Sequence, residues 1–197
     1  EMSVLFPQYT PEDFITQFIE VNNSEYRKDE NVIIIAAIKK ALKMVHKFSV
    51  RNNLKLKFVD YSHVASNSII RMNSSISKED LVLSLYYTEK WVSVMLLQKN
   101  SPIFVDCKEI DSISNVIPNV SSVIDILAKK GIDKSLISKF YASGSNVSSS
   151  FIDKLNANLF VTFEKVDPFK DLLVNERVSN SQLYKEKANS FSAAAGI

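Results

Sequence analysis

The stretch Leu81 to Cys107, LVLSLYYTEKWVSVMLLQKNSPIFVDC, constrains the fold of this chain more than any other. It holds three apolar runs divided by short polar breaks, so it is too interrupted to cross a membrane and too apolar to lie on a surface. Three neighbouring strands meet both conditions. Leu81, Leu83, Leu85 and Tyr87 share one side of the first strand, and Val82, Ser84 and Tyr86 share the other. Thr88-Glu89-Lys90 and the stretch Lys99 to Pro102 are short connections, which favour antiparallel neighbours. Leu96 followed by Leu97 breaks the alternation and predicts cover on both faces or a bulge at that point.

Helical spacing flanks this block. Thr10-Pro11-Glu12-Asp13 is a helix start, and Phe14, Ile15, Phe18 and Ile19 form an apolar stripe behind it, predicting a short helix that ends near Asn22 and Asn23. A longer helix is expected from Asp29 or Glu30. Its inner face would be Ile34, Ala37, Ile38, Ala41, Leu42, Val45 and Phe48, and its outer face Lys39, Lys40, Lys43, His46 and Lys47. The alternation of Leu54, Leu56 and Phe58 with Lys55 and Lys57 predicts a strand, and Ser66 to Met72 a weaker one, followed by a loop at Asn73-Ser74-Ser75.

After Asp111, Val120, Val123, Ile124 and Leu127 share the face of a helix that Gly131 ends, and Asp133 caps a second helix with Leu136, Ile137 and Phe140 inward. Ser143 to Ser150, SGSNVSSS, is the one low-complexity segment. Beyond it the pattern gives a helical turn at Phe151 to Leu155, a strand at Leu159 to Val166, a short helix around Phe169, Leu172 and Leu173, and a weakly packed tail after Val178. The expected class is α+β, a mainly antiparallel sheet flanked by N-terminal and C-terminal helices. Its expected organisation is a core domain over residues 1–143, a serine-rich loop over 144–150, and a C-terminal subregion over 151–197 packed on the core.

Composition removes several kinds of chemistry. With 197 residues, 46% of them hydrophobic and 23% charged, the chain is long enough to bury a sizeable core. One cysteine, Cys107, and two histidines, His46 and His63, exclude an intrachain disulfide and any zinc site built from several Cys and His ligands. Neither histidine lies in a motif that would activate a nucleophile. Three glycines, Gly131, Gly144 and Gly196, are too few and too scattered for a glycine-rich phosphate loop. No motif therefore calls for a cofactor or a metal, and no catalytic residue is assigned. The opening residues lack the basic and long apolar regions of a secretory leader, so an intracellular protein, cytoplasmic or nuclear, without membrane insertion, is expected.

Three features remain as candidate sites. Between Glu30 and Asp60 no acid occurs, while Lys39, Lys40, Lys43, Lys47, Arg51, Lys55 and Lys57 do. On a helix, Lys39, Lys43 and Lys47 point the same way, a ridge suited to an acidic protein partner or to phosphates; the other reading is a solvated face, since the net charge is only +2. DILAKKGIDKSLISKFY, residues 125–141, resembles the helix-turn-helix unit of DNA-binding proteins, a resemblance that implies contacts from Lys134, Ser135, Ser138 and Lys139. Asp106-Cys107-Lys108 at a strand end resembles the PD-(D/E)xK nuclease core. That resemblance implies a divalent ion held by Asp106 with Asp60, Glu79 or Asp80, and water positioned by Lys108. Tyr86, Tyr87 and Trp91 would either stack on a ligand or pack across strands. The favoured function is a non-catalytic interaction or assembly subunit of a larger complex, meeting a protein partner through the basic helix face and the sheet surface. The alternatives are a nucleic-acid-binding protein and a metal-dependent, nuclease-like enzyme.

Overall fold

The chain builds two pieces that differ in how much apolar surface they hide. The computed structural model describes residues 7–21, 32–73, 76–77, 80–98, 101–171 and 173–196. The first piece is β1 (Phe14–Glu20), β2 (Val32–Ile38) and α1 (Lys39–Arg51). The second begins with α2 (Ser62–Asn73) and continues through β3 (Leu81–Tyr87), β4 (Trp91–Gln98), β5 (Ser101–Glu109), α3 (Val116–Lys129), β6 (Ile137–Ser143), α4 (Ser149–Leu159) and β7 (Phe163–Lys165). Three short helices follow: α5 (Glu176–Ser179), α6 (Gln182–Lys187) and α7 (Ser192–Ala195).

The central block forms the three strands its pattern demands, in the spatial order β5-β4-β3 and antiparallel. Alternation along β3 sends Leu81, Leu83, Leu85 and Tyr87 into a core shared with Val116, Val120, Val123 and Leu127 of α3 and with Phe151, Ile152 and Leu155 of α4. Val82, with Met95, Leu97 and Tyr141, faces the other way and packs on Ile69 and Ile70 of α2. Both faces are therefore covered, which is why the run reads as nearly continuous apolar sequence. Leu96 and Leu97 are both buried and the β4–β5 register shifts between them, so the broken alternation marks both cover and an irregularity.

The sheet is not mainly antiparallel. It has five strands in the order β5-β4-β3-β6-β7, with β6 parallel to β3 and β7 parallel to β6. The class, helices with a sheet, stands, and the pairing is mixed. A helix, α3, crosses between β5 and β6, and α4 crosses between β6 and β7, as parallel pairing requires. The missed strand is β6. Leu136, Ile137 and Phe140 fit a helical stripe equally well, but the structure limits helix there to a single 3-10 turn, Lys134–Leu136, and makes Ile137–Ser143 a strand. A strand buried on both faces has no alternation to reveal it.

The N-terminal expectations need similar correction. Thr10 and Asp13 form the expected capping contacts, with the Thr10 N–H donating to Asp13 Oδ2 at 2.9 Å, yet the turn stops at Asp13. Phe14–Glu20 is a strand paired antiparallel with Val32–Ile38 along its whole length. Both segments are dense in Ile, Val, Phe and Thr, which suit a pleated surface, and their mutual pairing wins over the helical spacing. The supposed helix boundaries at Asn22, Asn23, Asp29 and Glu30 lie outside the described residues, as do Ser74, Ser75, Glu79, Lys99, Asn100 and Leu172. The second helix is real only from Lys39, and Val45 and Phe48, expected inward, are exposed. Leu54 to Phe58 forms no strand, and Ser66 to Met72 is helical, part of α2.

Removing side chain from the two pieces should therefore have unequal effects. Leu83, with 0% exposure, should lose about 3–4 kcal/mol on Leu83→Ala, whereas Phe18→Ala in the exposed ribbon should lose less than about 1 kcal/mol; urea unfolding monitored by circular dichroism measures both.

Candidate functional site

A polar seam runs through the face of the sheet covered by α2. Ser84 of β3 and Ser93 of β4 both point there, and His63, near the start of α2, fits between them. His63 is fully buried, with Nδ1 2.8 Å from Ser93 Oγ and Nε2 2.9 Å from Ser84 Oγ. Ser84 Oγ also lies 3.4 Å from the Met95 carbonyl, to which it donates. The consistent assignment has His63 Nε2–H donating to Ser84 Oγ while Nδ1 accepts from Ser93. Burial pushes the His63 imidazole down to about 3, and the Tyr86 ring stacks on it at 5.7 Å. This is a neutral histidine satisfied by hydroxyls, with the charged form excluded by desolvation. Beside it, the Tyr61 hydroxyl donates to Cys107 Sγ at 3.2 Å, and burial raises both groups above their ordinary values. A raised thiol holds less of the nucleophilic thiolate at neutral pH.

The second feature is the crevice at the carboxyl ends of β3 and β6, the place where an open sheet with parallel strands holds ligands. Its walls are the turn Thr88-Glu89-Lys90 and the loop 144–148 that leads into α4. Gly144 takes φ +111° and lies so close to the end of β3 that a Cβ there would sit 2.2 Å from the Tyr87 carbonyl oxygen. The Asn146 N–H donates to that same carbonyl at 3.3 Å, and Tyr87 packs its ring on Phe151, 5.0 Å between centroids. From the C-terminal segment, buried Asn189 donates through Nδ2 to the carbonyls of Gly144 and Val147, at 2.8 and 2.9 Å. Ser66, Ser143 and Ser192 meet behind the loop through their hydroxyls. Of these residues only Tyr87 was among the candidates of the sequence, as an aromatic; for the loop the signal was the rarity of glycine, which makes Gly144 in SGS informative.

The residues marked by the sequence fall in three separate places. Lys39, Lys40, Lys43 and Lys47 do come together, lining a cleft of about 560 Å³, but Glu12 and Asp13 share that cleft and the Lys39 ammonium donates to the Glu12 carbonyl. Lys55 lies instead beside Ser49, Val50 and Leu54, and Arg51 and Lys57 are exposed. The recognition helix implied for Lys134, Ser135, Ser138 and Lys139 does not form. Ser138 and Lys139 are strand residues, Ser138 bonds to Asp80 at 3.1 Å, and Lys134 reaches the Leu159 carbonyl at 3.4 Å. Asp106 pairs with Lys108 at 3.2 Å on the edge strand β5. Asp80 precedes the end of β3 that pairs with Gln98, whereas Asp106 lies opposite Val94, and Asp60 binds its neighbour's N–H. Among the described residues no group of three His, Cys, Asp or Glu could hold a metal ion. Tyr87 is core, Tyr86 is half-buried on His63, and Trp91 alone of the three aromatics is exposed.

No protein-family model matches this chain, and no curated protein matches it. Its likeness is to solved structures. Over 99% of its length it is similar, at 15% identity and a TM-score of 0.74, to 69% of a chain of the PilM-PilN type IV pilus biogenesis complex. It is also similar, at 11% identity and a TM-score of 0.55, to a Bacteroides thetaiotaomicron VPI-5482 protein with actin-like ATPase fold and unknown function. The fold is of the actin-like ATPase kind. This chain covers 98% of its own length in the second likeness but less than two thirds, 63%, of that protein.

These likenesses overturn the nuclease and nucleic-acid readings and give the basic helix face no support, while a subunit of a larger complex remains compatible with them. One similar structure is a protein complex, in accord with the expectation of protein partners. Among the described residues no helix is long and apolar enough to cross a membrane.

The seam makes a thermodynamic prediction. Between pH 6.5 and about 3 the unfolded chain binds a proton at His63 that the folded chain excludes, so stability falls as pH drops through that window, by about 1.4 kcal/mol per pH unit; above it this group contributes no slope. Urea midpoints measured from pH 7 to pH 4.5 should fall less steeply in His63→Gln than in the unaltered chain.

Proposed function

We propose that this chain is an assembly protein built on the actin-like ATPase fold, and that it holds a protein partner on the apolar surface of its N-terminal piece. The observation that carries this reading is the contrast between the two pieces. The five-stranded sheet hides most of its large side chains under α2, α3 and α4, while the ribbon and α1 leave several of theirs in solvent. Phe18 is 62% exposed, Met44 63% and Phe48 64%, with Ile34 and Val50 close behind. On α1, Ala41, Met44, Val45 and Phe48 are spaced three and four apart and make one apolar stripe. Exposed apolar side chains gathered on one piece of a folded chain favour a docking site for protein. The likeness to a chain of a pilus biogenesis complex supports the same reading, because a chain of similar fold works there within a protein complex.

The partner's matching feature is an apolar segment. Aromatic and methionine side chains at the centre of such a contact carry most of its energy, so substitutions there have large effects. A photo-crosslinking residue placed at Phe48 or Met44 should capture a specific protein from the native assembly, and one at Asn158 on α4 should not. Combined Met44→Glu and Phe48→Glu should reduce partner recovery at least ten-fold while leaving the unfolding midpoint within about 1 kcal/mol of the unaltered chain. Undiminished recovery with that variant would overturn the proposal.

A further inference from the structure

The fold of this chain implies a nucleotide with its magnesium ion, and the residues at the crevice do not fit one. We infer that this chain does not bind a magnesium nucleotide at the carboxyl ends of β3 and β6: the crevice there is closed by its own backbone, and the two strands that form it supply no carboxylate for magnesium.

Space is the first obstacle. Phosphates are held by loops whose backbone N–H groups approach the oxygens closely, which is the usual reason for glycine in such loops. Gly144 serves a different contact. Its missing side chain lets the loop rest directly on Tyr87, 2.2 Å from where a Cβ would be, and a gap too small for a methyl group admits no phosphate. Across the gap the turn carries Thr88, Glu89 and Lys90 rather than glycine.

Several hydrogen-bond donors are also taken. The Thr88 N–H donates to the Trp91 carbonyl at 2.9 Å and the Trp91 N–H to Thr88 Oγ1 at 3.3 Å. In the loop, the Gly144 N–H goes to Asn189, Asn146 to Tyr87 and Val147 to Gly144, while Ser148 caps α4 by accepting from Phe151 at 3.1 Å. These N–H groups are spent on protein.

Charge gives the third objection. Magnesium bound with a nucleotide is held by one or two carboxylates besides the phosphates and water. From Leu81 to Gln98 the only acid is Glu89, in the turn, and from Ile137 to Ile152 there is none. The serines of β3 and β4, Ser84 and Ser93, are both engaged with His63. A cleft of about 570 Å³ does open in front of the loop. Its walls are Ser145–Ser150 with Gln182, Lys185, Glu186 and Lys187 and a single exposed aliphatic, Ile113, so it has no apolar slot for a base.

The test is nucleotide binding by the intact protein. Calorimetry and thermal melting with MgATP, with MgADP and with ATP plus EDTA at millimolar concentration should show no saturable heat, no rise in melting temperature and no release of inorganic phosphate. A ligand at a hundred times its Kd would raise the melting temperature of a chain this size by roughly 5 °C or more. Saturable MgATP binding that Ser145→Glu weakens ten-fold or more would overturn the inference, because it would place the phosphates at this loop. Binding that Ser145→Glu leaves unchanged would place nucleotide elsewhere and leave the crevice closed, as inferred. Neither outcome depends on the partner surface of α1.

Discussion

Everything in this fold depends on β3 being buried on both faces and paired on both edges. A strand in that position has no side that tolerates solvent, so it must be covered twice, and the two covers come from different parts of the chain. Its antiparallel neighbour β4 is reached through a short turn and forms locally. Its parallel neighbour β6 can be reached only after the chain has crossed the sheet in α3. That crossing brings the carboxyl ends of β3 and β6 side by side, and it fixes both where a ligand crevice would lie and how Gly144 comes to rest on Tyr87. The core and the crevice are one geometric decision.

The polar seam is a second consequence of the same burial. Ser84 and Ser93 face α2 in the interior of a sheet, where an unpaired hydroxyl would lose more than an alanine. A neutral imidazole between them pairs both hydroxyls at once without bringing a charge inside. A carboxylate in either serine's place would hold the imidazolium instead and convert the seam into a buried ion pair, with its desolvation penalty. The choice of hydroxyls keeps this face uncharged, and that neutrality is continuous with the lack of acids along β3 and β4.

How much of this was legible in the sequence follows from period and distance. The three strands of the central block, the α3 stripe and the Gly131 stop were readable because each is fixed by neighbours within a few residues; Gly131 takes φ +87° and the Ile132 N–H returns to the Leu127 carbonyl, as a glycine-ended helix should. The failures share a cause. In β1, β2 and β6 the apolar residues are too dense to show a period, and spacings of three and four appear in them by density alone. Only pairing with a distant segment decides them, Phe14 with Ile38 and Leu83 with Phe140, and no window of single sequence contains both partners. The candidate sites failed for the same reason: with Ile137–Ser143 a strand, the helix-turn-helix resemblance loses its second helix, and with β5 at the sheet edge Asp106 finds Lys108 rather than another acid.

A shared fold places sites without filling them. This chain takes the actin-like arrangement of strands and helices but invests the residues at the switch point in contacts with itself, through Gly144, Asn146 and Asn189. The loop rests on the Tyr87 carbonyl through Gly144 and Asn146. The surplus of unhidden apolar side chains lies at the opposite extreme of the chain's investment, on a ribbon and helix whose sequence buries little within itself. Folding alone gains little from Phe18, Met44 and Phe48, since solvent reaches most of each. Under the function proposed above, a partner's surface would add to these side chains the burial that folding leaves undone.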